Sequence, residues 1–90
     1  MNQDFDKFCE FVTALLGTVD HTLEIRQGRK YAKLVSRSRG SGSVWAFVDK
    51  ETGDILKPAT FNAPAKHARG NIKDSETYKN YQWTGPHYLR

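Results

Sequence analysis

A chain of 90 residues with 38% hydrophobic content and eleven aromatic side chains is one domain with a modest core, since chains of this size bury only about 60–65% of their unfolded surface. The formal charge is +4, and the single cysteine, Cys9, excludes both an internal disulfide and a metal site of cysteine ligands. No run approaches the ~20 apolar residues that cross a bilayer, and Met1-Asn2-Gln3-Asp4 lacks a basic n-region and an apolar h-region, so the expectation is a cytoplasmic protein without a membrane partner.

In chain order, residues 3–17 read as an amphipathic helix. Phe5, Phe8, Val12, Leu15 and Leu16 fall at helical spacing while Asp4, Lys7 and Glu10 lie on the other side, and Gly17 is a natural stop. From about His21 the period drops to two. Leu23 and Ile25 alternate with Glu24 and Arg26, predicting a strand over 21–26, a turn at Gln27-Gly28 and a partner strand over 30–37. The segment 38–43, rich in serine and glycine, reads as a flexible loop. Val44-Trp45-Ala46-Phe47-Val48 is a strong strand over 43–49, and Asp49 to Asp54 is a hairpin connection with Gly53 at its left-handed position. A short strand over 55–58 precedes a second helix over 63–69, capped by Asn62, with Pro64 in its first turn and Gly70 at its end. From 73 to 90 the chain reads as an irregular tail carrying Tyr78, Tyr81, Trp83 and Tyr88. The expected fold is therefore α+β: one single domain over 1–90, with an N-terminal helix packed on a four-stranded antiparallel meander, a short second helix and an aromatic tail.

Charge is distributed unevenly along these elements. Residues 25–48 hold six bases (Arg26, Arg29, Lys30, Lys33, Arg37, Arg39) and no acid, and residues 55–73 hold four more (Lys57, Lys66, Arg69, Lys73), again with no acid. Such stretches mark an anion-binding surface, or else the solvated faces and guarded edges of strands. Alternation places Tyr31, Lys33, Arg37, Trp45 and Phe47 on the sheet face turned away from the helix. Aromatic rings among cations are how single strands are held: bases stack on the rings and cations follow the phosphates. The aromatic tail could instead cover that face. Lys57, Lys66 and Arg69, and Arg39 in the serine-glycine loop, are the further candidates for phosphate contact.

Catalysis finds little in the sequence. No phosphate-cradling loop or His-Glu-x-x-His is present, the three histidines (His21, His67, His87) are far apart, and Cys9 sits beside the apolar stripe of the helix. No catalytic residue, metal or cofactor is expected.

The segment Thr52-Gly53-Asp54-Ile55-Leu56-Lys57-Pro58-Ala59, followed by Pro64-Ala65-Lys66-His67-Ala68-Arg69-Gly70-Asn71, resembles a stretch of short tailed-bacteriophage proteins that have no established activity. The likeness covers roughly residues 30–73 and carries no functional residue with it. It implies a phage product acting in the cytoplasm of an infected bacterium. Two expectations follow: an accessory protein that binds nucleic acid, single-stranded in preference, or a module that binds and modulates a host protein.

Overall fold

The computed structural model describes residues 3–82. Helix α1 (Gln3–Gly17) is followed by five strands, β1 (Thr22–Gln27), β2 (Tyr31–Ser38), β3 (Ser41–Asp49), β4 (Asp54–Thr60) and β5 (Ala63–Asn71), and by a 3-10 turn at Ser75–Thr77. The strands form one antiparallel sheet in the order β1-β2-β3-β4-β5. The α+β class and the helix-then-meander order stand, with five strands in place of four.

The helix buries Phe5, Phe8, Val12 and Leu16, one stripe at spacings of three and four, against Ala32, Leu34, Ala46, Val48 and Ile55 of the sheet. Acids at Asp4 and Asp6 in its first turn suit the positive end of the helix dipole. Phe8 is the hub, with Tyr78 edge-on at 4.8 Å, Trp45 at 6.0 Å and Phe11 at 6.5 Å.

Three sequence expectations are corrected. The serine-glycine segment is not a flexible loop: β2 and β3 run on to a two-residue turn at Arg39-Gly40, with φ of 53° and 83° and Ser38 opposite Ser41. Two residues at positive φ make the tight turn whose twist matches the flanking strands. The second helix is also absent. Residues 63–71 are a strand, with Thr60 opposite Ala63, Pro58 opposite Pro64, Leu56 opposite Ala68 and Asp54 opposite Asn71. The segment has caps at both ends but no apolar stripe for a helix to bury, so the available ladder wins over local propensity. Pro64 is tolerated because β5 is an edge, and Pro58 because β4 pairs with β3 only at Leu56 and Ile55.

The third correction concerns Trp45. The β2–β3 register shifts, so that Leu34 faces Ala46 while Val35 faces Val44. Trp45 is the inserted residue of a β-bulge, opposite the Leu34–Val35 peptide. It turns to the helix side and is buried between Phe8 and Tyr81, each 6.0 Å away.

The tail returns to the same side. Tyr78 and Tyr81 are both buried, and Gly70 lies so close beneath Tyr81 that a Cβ there would stand 2.5 Å from the tyrosine hydroxyl. The Asn71 amide donates to Thr52 O and Asp54 Oδ1 at 3.0 Å each, and its Oδ1 accepts from the Lys73 amide at 2.9 Å. The expected tail aromatics Trp83 and Tyr88 lie outside the described residues.

Arg39 holds a backbone conformation that a β-carbon disfavours by about 1 kcal/mol. Replacing it by asparagine produces the Asn-Gly pair preferred in this turn. Arg39→Asn is expected to raise stability by about 0.5–1 kcal/mol, read as a higher urea midpoint at unchanged slope.

Candidate nucleic-acid interface

Ladder partners share a face, so the surface away from the helix can be read from the registers. Arg26 lies opposite Lys33 and Glu24 opposite Val35 across β1–β2, and Lys33 lies opposite Phe47 across β2–β3. Val35, Phe47 and Leu56 on this face are buried although no helix covers them. The cover is the β4–β5 hairpin, bent by three register shifts between Ile55 and Thr60. Its tip, Phe61-Asn62, reaches over to the first two strands. The Lys33 ammonium stands 4.3 Å from the Phe61 ring centre and the Arg26 guanidinium 5.9 Å from it, with Lys33 Nζ 3.5 Å from Asn62 Oδ1.

Between this tip and the β1–β2 turn opens a concavity of about 320 Å³. Arg26, Arg29, Lys30 and Lys33 supply its charge, Tyr31 and Phe47 its aromatic lining, and no carboxylate enters it. Tyr31 packs edge-on against Phe47 at 5.9 Å, and the Lys30 ammonium lies 5.4 Å from the Tyr31 ring. The turn is pinned from below, because Lys50 Nζ donates to Gly28 O and the Lys50 amide to Lys30 O, both at 2.9 Å. Beside the concavity Glu24 accepts from Arg26 Nε at 2.5 Å and Arg37 Nε at 2.7 Å. These two bonds hold its carboxyl below the usual carboxylate range.

The sequence-predicted residues divide. Tyr31, Lys33 and Phe47 meet at the concavity, with Phe47 as a buried floor rather than an open platform. Arg37 is held at Glu24, and Arg39 sits exposed at the β2–β3 tip. Trp45 is in the core, so it offers no face to a base. Lys57, Lys66 and Arg69 stand on β4 and β5, outside the concavity. Arg69 acts on Tyr81: burial pushes that hydroxyl up to about 12 against the arginine's pull. Arg26, Arg29, Lys30, Phe61 and Asn62 were not singled out as site residues. Strand parity already pairs Arg26 with Lys33, but Phe61 and Asn62 arrive only through the β4–β5 hairpin, which local signals concealed.

A second concavity, of about 610 Å³, runs between α1 and β1 on the other side of the molecule. Phe5, Cys9, Leu23 and Ile25 make it apolar, and Asp6 and Glu10 rim it. Among the described residues no three His, Cys, Asp or Glu side chains come together as a metal site, and no helix is long and apolar enough to span a membrane.

These features define a class: a helix-backed, curled antiparallel meander whose face opposite the helix carries a basic, aromatic concavity. The chain belongs to DUF7717, a family of unknown function whose model matches residues 2–89. No curated protein matches it, and no solved structure does.

Burial, then the Asp6 charge, pushes the Cys9 thiol from its ordinary 9.0 up to about 11. At pH 8 the reactive thiolate is therefore roughly 100-fold scarcer than in an ordinary cysteine. Alkylation by iodoacetamide is expected to be slower by about that factor in the folded protein and to reach the ordinary rate in urea.

Proposed function

We propose that this protein binds nucleic acid, single-stranded in preference, through the concavity between the β1–β2 turn and the β4–β5 tip. The observation that carries the reading is the gathering of four cations and two aromatic rings in one hollow with no carboxylate among its lining residues. Cations at this density attract phosphate by releasing counterions, and rings beside them suit unpaired bases. Arg29 and Lys30 at the exposed turn would meet phosphate first, with Lys33 and Arg26 deeper in. Arg39, Lys57, Lys66 and Arg69 would extend the phosphate path only at its margins. The setting we propose for this activity is the cytoplasm of an infected bacterium, a reading that rests on the likeness to tailed-phage proteins. No step here needs a catalytic group or cofactor.

The groove between α1 and β1 favours a second reading, a module that binds a host protein. Ile25 is 39% exposed beside it, and β1 pairs only with β2. An apolar hollow next to an open strand edge suits a protein segment, and its acidic rim suits no nucleic acid. Ile25→Asp would abolish that binding and leave oligonucleotide binding intact.

Titration of a labelled oligothymidylate at low salt tests the first reading. Binding tighter than about 100 μM is expected, weakening steeply with salt. No binding at that level overturns it. Lys30→Ala should lower the slope of log affinity against log salt by about 0.7, while Lys7→Ala on the helix should leave it unchanged. Glu24→Gln frees Arg26 and Arg37 from their carboxylate, so affinity should rise a few-fold and the salt slope should steepen.

A further inference from the structure

Phe61 stands out on the basic face. At 45% it is, with Ile25, one of the two large apolar side chains left exposed among the described residues. It is held outward by a two-residue turn between the paired Thr60 and Ala63, with the Asn62 amide donating to Thr60 Oγ1 at 3.2 Å. An apolar ring fixed outward at a hairpin tip, with cations on one side, is costly unless something covers it.

Two hollows of nearly equal size flank this tip. The first is the basic concavity of about 320 Å³ that ends at Asn62. The second, of about 310 Å³, ends at Phe61 itself and is lined by Gly42, Ser43, Val44, Pro58, Ala59 and Thr60. Each lies at the small end of the range for ligand sites, with room for one mononucleotide unit. Their chemistries differ in a useful way. The first is cationic; the second carries no charged side chain but offers Val44, Pro58 and the Phe61 ring to a base. Arg37 borders the second hollow, its guanidinium 3.2 Å from where a β-carbon on Gly42 would stand.

We propose that Phe61 is a wedge that separates two consecutive nucleotides of a bound single strand, one seated in each hollow. This rests on the nucleic-acid reading above and specifies it. The strand crosses the β4–β5 tip. One base lies against Phe61 on the Val44–Pro58 side, and the neighbouring nucleotide drops toward Tyr31, Lys30 and Lys33. The phosphate linking them passes over the ring edge within reach of Lys33. That ammonium is held by the Phe61 ring at 4.3 Å, the Phe47 ring at 5.8 Å and Asn62 Oδ1 at 3.5 Å, the outer limit of a hydrogen bond; none of these partners is charged, so it exchanges readily onto a phosphate oxygen. A duplex is a poor ligand for such a device, because its bases must be unstacked and unpaired before a ring can enter between them.

The test uses the full chain and an oligonucleotide containing two adjacent 2-aminopurines, whose stacking gives an exciton couplet in circular dichroism. The wild-type protein should abolish the couplet on binding, and Phe61→Ala should leave it in place. Phe61→Ala should also bind single strands about 10-fold or more weakly while keeping the salt slope, since no charge is removed. A structural lesion in the basic hollow would change that slope. Phe61→Trp, which preserves the wedge should the alanine variant not fold, should abolish the couplet and bind at least as tightly as wild type. Retention of the couplet on saturation with wild type, or equal affinity of a folded Phe61→Ala, overturns the wedge and leaves the electrostatic binding standing. Absence of any wild-type binding to single strands at low salt overturns the nucleic-acid reading and the wedge with it.

Discussion

A helix of fifteen residues can shield one face of a five-stranded sheet and no more. The other face still carries Val35, Phe47 and Leu56, which are buried too. That burial comes from the sheet itself, because the register shifts in the β4–β5 ladder bend the hairpin back over the first strands. The concavity is a consequence of this bend. Its floor is the buried Phe47 and its rim is where the hairpin tip stops short of the β1–β2 turn. A flat sheet would have left the same residues as an open, featureless basic surface.

A single inserted residue then decides which aromatic goes where. Without the bulge at Leu34/Val35, strict alternation would place Trp45 beside Phe47. With it, Trp45 completes a cluster with Phe8, Tyr78 and Tyr81 on the helix side. The tail that could have covered the basic face therefore covers Trp45 and leaves that face to the hairpin. The face assignments of Ala32, Leu34, Ala46, Val48, Tyr31, Lys33 and Phe47 were legible from strand parity, which is a local property. Trp45 was not, since a bulge is a property of the pair of strands.

The same distinction explains the other differences. Helix α1 and strands β1 to β4 announce themselves by periodicity and turn residues. In β5, Asn62, Pro64 and Gly70 carry the marks of a capped helix, yet the segment is decided by a ladder with β4 that no window of sequence contains. The turn at Arg39-Gly40 was hidden differently, by serines and glycines that suit a loose loop as well as a tight hairpin. Part of the concavity was readable for this reason: Tyr31, Lys33 and Phe47 lie on strands β2 and β3, whereas Asn62, and Phe61 beside it, lie on the hairpin whose nature was obscured.

The resemblance segment acquires a physical meaning from this geometry. Its most specific part, Pro64 to Asn71, does not line the basic concavity; it builds the returning edge strand and its anchor. Gly70 leaves the room that Tyr81 fills, and Asn71 ties β5 to the β3–β4 turn and to the start of the tail. A hairpin anchored at that end and bent by the register shifts between Ile55 and Thr60 can present its other end as a fixed arm. The tip residues Phe61 and Asn62 are what that arm carries, and they meet the cations of β1 and β2 only because the arm is bent. Anchor, bend and tip thus form one device, in which the glycine and asparagine position a ring that stands at the opposite end of the β4–β5 ladder from them.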